Sequence, residues 1–274
     1  MKRLINSKSI TLLVPLCALL AMGLRFVTRG NGPDEAGLFP AKPLVWGLLW
    51  LLTAVTAAAV VYAVRELKNP GTYREHYPRS VIAGLCTVPA AVIFLINGIQ
   101  QFRSAVGMRL PGITIVDTVT GIFGILAGVC LLISALHRAV GRKPFFLFNG
   151  VVCLYLALRL FNCCQRWSNE PQLNTVVFPF LASIALMLSA YHRVCFDVDL
   201  ANRRWAAFWT LMSVYLCVVA MISFEQPLFY GLAALWQMAN LCSMRPLKRK
   251  PQPVIRETEA PQSAGETQPP EAEE

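Results

Sequence analysis

Charge is what this sequence most lacks. Only 15% of its 274 residues are Asp, Glu, Lys or Arg, whereas a soluble domain carries about 25%. A soluble enzyme and a nucleic-acid-binding domain are therefore poor readings. Histidine is scarce, with three residues, and Asp117 is the one acid inside an apolar segment. Metal-dependent lipid chemistry needs clustered carboxylates or histidines, so an intramembrane enzyme is disfavoured and neither metal nor cofactor is expected. The chain also lacks C-x-x-C, H-E-x-x-H, G-x-S-x-G, an EF-hand loop, a Walker A motif, G-x-G-x-x-G and any N-x-S/T sequon, which removes the common signatures of hydrolases, nucleotide binders and thiol redox proteins. Cysteine is not scarce, at nine residues. Cys17, Cys86, Cys130, Cys153, Cys195, Cys217 and Cys242 fall in or beside apolar runs, where Cys acts as a small hydrophobe. Cys163 and Cys164 are adjacent at a segment end.

What the sequence has is apolar length. Apolar residues make up 55% and the mean hydropathy is +0.51. Eight apolar segments emerge: Ile10–Val27, Leu44–Val64, Ser80–Gln100, Ile115–His137, Pro144–Phe161, Val176–Tyr191, Trp205–Ile222 and Pro227–Ser243. Each reaches or approaches the roughly 20 residues that cross about 30 Å as a helix. Turn-forming clusters such as Lys68-Asn69-Pro70-Gly71 and Asn169-Glu170-Pro171 separate them. The expectation is an all-α integral membrane protein with about eight transmembrane helices. Pro15, Pro89 and Pro179 should kink three of these. Gly121, Gly124 and Gly128 allow a close helix approach.

The formal net charge is +10, and its distribution gives an orientation. The N-terminus, the even-numbered loops and the C-terminal tail carry 18 Lys and Arg, and the opposite side carries 7. The positive-inside rule then places both termini in the cytoplasm. Trp46, Trp50, Trp167 and Tyr230 should mark the outer interface, and Tyr62, Tyr191, Trp205 and Trp209 the inner one. Lys2, Arg3 and Lys8 before Ile10–Leu20, with Ala21-Met22-Gly23 after it, resemble a signal peptide. Because the apolar run continues to Val27, a retained helix is expected. Residues 1–244 read as a polytopic membrane domain. Residues 245–274, rich in Pro, Glu and Gln, read as a disordered cytoplasmic tail. Its basic cluster, Arg245, Lys248, Arg249 and Lys250, suits a topology anchor or contact with anionic lipid.

One internal repeat stands out. Thr120–Arg138 aligns without gaps on Thr175–Arg193, with nine of 19 positions identical. Both copies end in Ser-Ala-x-His-Arg. Helices 4–5 and 6–7 would then be parallel helix-hairpin repeats, an arrangement found in some transporters. The alternative is two helix ends shaped alike by the same membrane. His137 and His192 close the copies beside an Arg, where capping by positive charge explains them better than a metal or proton site.

Polar residues inside a membrane are costly and so are functional leads. Most lie toward the side poor in Lys and Arg. Arg159, Asn162 and Arg166 share one helix face by their i, i+3, i+7 spacing. Asn97 and Gln101 share another. Asp117 sits about 30 Å from His137 along its helix, at the outer boundary, and Glu225 opens the last outer loop. These seven residues, Asn97, Gln101, Asp117, Arg159, Asn162, Arg166 and Glu225, would line an outward-facing cavity for a small polar or zwitterionic solute, with Asp117 and Arg159 as its charged pair. The alternative is an interhelical salt bridge with ordinary interface polarity. Gln237 and Asn240 lie one turn apart near mid-membrane.

The segment Arg159-Leu160-Phe161-Asn162-Cys163-Cys164-Gln165-Arg166-Trp167-Ser168-Asn169-Glu170-Pro171, together with Ala190-Tyr191-His192, resembles uncharacterised multi-pass membrane proteins of anaerobic Gram-positive bacteria. The resemblance implies a bacterial plasma-membrane location and draws attention to Gln165-Arg166-Trp167. It implies no activity. The expected function is binding or transport of a small polar solute, and the alternative is a non-enzymatic membrane sensor or assembly partner of a larger complex. The expected partners are the lipid bilayer and either a small polar ligand or a membrane subunit, with no nucleic acid.

Overall fold

A polypeptide in hydrocarbon must satisfy its own backbone hydrogen bonds, and a helix does so within one segment. The computed structural model describes residues 7–29, 43–65, 77, 79–107, 113–167, 173–222 and 226–244. Eight long helices run through them: α1 (Ser7–Arg29), α2 (Pro43–Arg65), α3 (Val81–Gly107), α4 (Ile113–Val140), α5 (Phe146–Trp167), α6 (Leu173–Asp197), α7 (Arg203–Ala220) and α8 (Pro227–Cys242). Each overlies one of the eight apolar segments. The chain is an all-α, multi-pass membrane protein. The expected tail, 245–274, lies outside the described residues.

The helices are not equivalent. α1 to α6 are long and apolar enough to cross a membrane. α7 and α8 are shorter, at 18 and 16 residues, and α7 opens with Arg203 and Arg204. This refines the expectation of eight similar spans. α7 takes the centre: it packs against α1, α2, α6 and α8, and its residues from Thr210 to Cys217 are all buried. α1 and α2 lie at the edge and turn most of their apolar surface outward.

The most extensive helix pair is α3 with α4, and small residues explain it. α3 carries Gly84, Ala91, Gly98 and Ala105 at seven-residue spacing, and α4 answers with Gly121, Gly128 and Ala135 at the same spacing. Seven residues are two turns, so each series forms one stripe. A Cβ on Gly98 would come within 2.5 Å of the Ile125 backbone nitrogen, and one on Gly128 within 2.9 Å of the Ala91 carbonyl oxygen. The backbones are in contact at these positions, so no larger residue fits.

Local signals set the ends. Ser80 Oγ accepts from Ala83 N at the start of α3, and Asn202 Oδ1 accepts from Arg204 N at the start of α7. α4 ends at Gly141, whose φ of 83° is the left-handed conformation that glycine adopts freely. There Arg142 N reaches His137 O and Gly141 N reaches Arg138 O, a Schellman closure. α6 closes the same way, with Asp199 in the left-handed position. The two copies of the repeat thus end alike, although α6 runs about one turn further past its His-Arg pair. Equivalent positions are also buried alike: Ala127 with Ala182, Leu131 with Leu186, Ser134 with Ser189 and Ala135 with Ala190.

Candidate functional site

The alternating direction of the helices gathers side chains at two ends. One end, where α4, α6 and α8 finish, holds the basic loops. The other holds most of the polar residues singled out in the sequence.

At that second end Asp117 of α4 is buried, and it collects amides from two neighbours. Gln101 Nε2 of α3 donates to Asp117 Oδ1 at 3.0 Å, and Asn162 Nδ2 of α5 donates to the same oxygen. Three of the seven candidate residues are thus brought together.

Arg159 does not join them. Its guanidinium lies 3.8 Å from the centre of the Phe229 ring and 5.9 Å from that of Tyr230, and its Nη1 donates to Gln226 Oε1 at 2.9 Å. Asp117 and Arg159, expected as the charged pair of a cavity, do not form the alternative interhelical salt bridge, and among the described residues the one ion pair is Lys143 with Asp199, at 2.6 Å. Helix spacing had placed both charges toward the outer side but could not fix the directions in which their helices face. Arg159 is 7% exposed, so it is a buried cation, and it lies against a neutral amide, two rings and the hydroxyls of Tyr155 and Tyr230.

Aromatic residues build the surroundings of Arg159. Phe94 of α3 meets Tyr155 of α5 at 5.4 Å, Phe229 of α8 at 5.1 Å and Trp236 of α8 at 6.1 Å between ring centres. Gly124 makes room for the Tyr155 ring: a Cβ there would stand 3.0 Å from Tyr155 Cε2. Four buried nitrogen or hydroxyl groups in this region lack a hydrogen-bond partner: Asn97 Nδ2, Tyr155 Oη, Arg159 Nε and Trp236 Nε1. Asn97 is one turn beyond Phe94, and Tyr155 is one turn before Arg159. Tyr230, expected at the interface, is instead buried here, its hydroxyl reaching the Pro179 carbonyl at 3.4 Å. The Arg166 side chain and Glu225 lie outside the described residues.

The basic end is bonded differently. Arg138 closes the first repeat copy and Arg193 the second, and both donate to Asn240 Oδ1 of α8. Arg138 also donates to Ser243 Oγ. Tyr77 lies beneath both guanidiniums, 4.7 Å from Arg138 and 6.0 Å from Arg193. Burial holds its phenol above the usual value, so it meets them as a neutral ring. Ser189, also in the repeat, donates to Gln237 Oε1 at 2.9 Å and lies 3.1 Å from Thr210 Oγ1. Nearby, Asn149 Nδ2 donates to Asp197 Oδ2 at 2.6 Å. A cavity of about 10 Å³ lies among Tyr77, Arg193, Gln237 and Asn240, room for roughly one water. The sequence had marked the Arg, Gln and Asn residues individually. The repeat was the signal that could have joined them, since its last residue in each copy reaches the same amide.

Arg25 was missed as a lead. It is buried, its guanidinium stands 5.2 Å from the Phe178 ring, and its Nη1 donates to Val219 O at 2.9 Å. A cation at the last turn of α7 suits the helix dipole. His137 Nδ1 lies 2.9 Å from Ile133 O of its own helix. Among the described residues no three His, Cys, Asp or Glu side chains converge as a metal site. Cys163 and Cys164 are half-buried thiols. Between α1 and α2 runs an apolar groove of about 480 Å³, lined by residues such as Leu20, Leu24, Leu48 and Leu52. No protein-family model, curated protein or solved structure matches the chain.

Proposed function

We propose that this protein binds a small polar solute, and carries it across a bacterial plasma membrane, at a site between α3, α5 and α8 that opens outward. Both termini lie in the cytoplasm in this reading. Arg159 anchors the solute, and Asn97 and Tyr155 assist. Gln101, Asp117 and Asn162 form the neighbouring wall.

The supporting observation is Arg159 itself. Burying an ion costs several kcal/mol unless a partner offsets it, and a cation kept inside a membrane helix without an acidic partner is a functional residue by default. The proline-bearing helices and the repeat supply the kind of framework in which solute sites occur. A thermal-shift screen of the purified protein against polar metabolites and ions tests the reading. A ligand at 100 times its Kd adds about 2.7 kcal/mol of stability. The expected result is a shift that Arg159→Ala abolishes. No shift with any compound in folded protein, and no uptake into proteoliposomes, would overturn it.

The second reading is a non-enzymatic assembly partner or sensor. The groove between α1 and α2 favours it, because a neighbouring helix fits such a surface. Stoichiometric co-purification with another membrane subunit would support it.

A further inference from the structure

The Arg159 site has a chemical polarity that narrows its ligand. The unpartnered groups around Phe94 can all donate a hydrogen bond: the Arg159 Nε–H, the Trp236 indole N–H and the Asn97 amide, with the Tyr155 hydroxyl beside Arg159. Each belongs to a residue at least nine-tenths buried. Donors left without acceptors in a dry interior are expensive, and the natural remedy is a ligand that brings acceptors.

Charge points the same way. Arg159 remains a cation at every physiological pH. Its Nη1 is held by Gln226, which is exposed, and its face rests on Phe229. The nearest candidate for binding an ammonium group was Asp117. That carboxylate faces Gln101 and Asn162 and does not pair with Arg159. A zwitterion would therefore find a seat for its negative end, while the neighbouring acid is already engaged by two amides. The rings of Phe94, Tyr155, Phe229 and Trp236 offer apolar surface instead.

We infer that the ligand is a small organic anion, a carboxylate bearing a short apolar or neutral body, whose oxygens are read by Arg159 with help from Tyr155 and Asn97. Guanidinium and carboxylate match in shape and form paired hydrogen bonds, and the aromatic rings cover the body. This inference rests on the solute-binding reading above and specifies its ligand class.

Acetate, glycine and glycerol, at matched ionic strength, are the probes. Each is titrated into the purified full-length protein in lipid nanodiscs, by calorimetry and thermal shift. Acetate is expected to bind more tightly than glycine, and glycerol not at all. Arg159→Gln should weaken acetate roughly tenfold to a hundredfold, the loss of a charge-assisted hydrogen bond. Tyr155→Phe, which keeps the ring and the fold, should weaken it by a smaller factor, and Arg159→Lys should restore part of what Gln loses. Glycine or glycerol binding in preference to acetate, with the same dependence on Arg159, would overturn the anion assignment and leave solute binding standing. Acetate binding unchanged in both Arg159→Gln and Tyr155→Phe would overturn the site. Failure of all three probes, with no uptake of any polar solute by proteoliposomes, would overturn the binding reading and the inference together.

Discussion

The two ends of this bundle treat arginine in opposite ways. At the basic end Arg138 and Arg193 converge on Asn240, Arg138 also reaches Ser243, and the rings of Tyr77 and Trp236 lie against the guanidiniums. At the other end Arg159 lies against rings and one exposed amide. The first arrangement ties α4, α6 and α8 together and is a structural cross-link. The second holds its charge against aromatic rings and one amide that can turn to water. Buried charge that serves stability is hydrogen-bonded by groups that would suffer from its loss. The ligand proposed above would account for the second.

Substitution should separate the two ends. The largest effect is expected at Asn240. Asn240→Leu removes one acceptor from two guanidiniums at once, and should cost about 3 kcal/mol of stability, read as a lower unfolding midpoint in nanodiscs. Asp117→Leu comes next, at about 2 kcal/mol, because the Gln101 and Asn162 amides lose their shared oxygen. Equal losses at the two sites would blur the distinction between a cross-link and a wall. The smallest effect belongs to Lys143→Ala. The Lys143–Asp199 pair joins the ends of the two repeat copies, but it is about one-third exposed on one side and more on the other. It should be worth less than about 1 kcal/mol and vanish in high salt.

The architecture was legible because the membrane imposes it. Apolar length and charge alternation named all eight helices, and Gly121, Gly124 and Gly128 foretold one side of the α3–α4 contact. Their counterparts Gly84 and Gly98 went unread, since a stripe of small residues gains meaning only when a second stripe faces it. Depth was legible too: Asp117, Gln101 and Asn162 were placed at one level and do meet. Azimuth was not. The positions of Asp117 and Arg159 along α4 and α5 say nothing of how each helix is rotated, and whether the two side chains meet turns on that point. Tyr230 shows the same limit, since its position near a helix start says nothing of the side it faces, and α8 turns it toward Arg159. The convergence on Asn240 needed three helices to be placed together, although the repeated Ser-Ala-x-His-Arg held the clue.

The distinction between the two ends is tested most directly by unfolding Arg159→Leu and Asn240→Leu side by side in matched nanodiscs. Removing Arg159 ends a cation–π contact worth about 1 kcal/mol, and it also removes a buried charge, a change that is often neutral or stabilising. Gln226 is exposed and can turn to water. Arg159→Leu should therefore unfold within about 1 kcal/mol of the wild type or above it, while Asn240→Leu unfolds clearly below. An Arg159→Leu protein as destabilised as Asn240→Leu would contradict this, and would make Arg159 a structural residue.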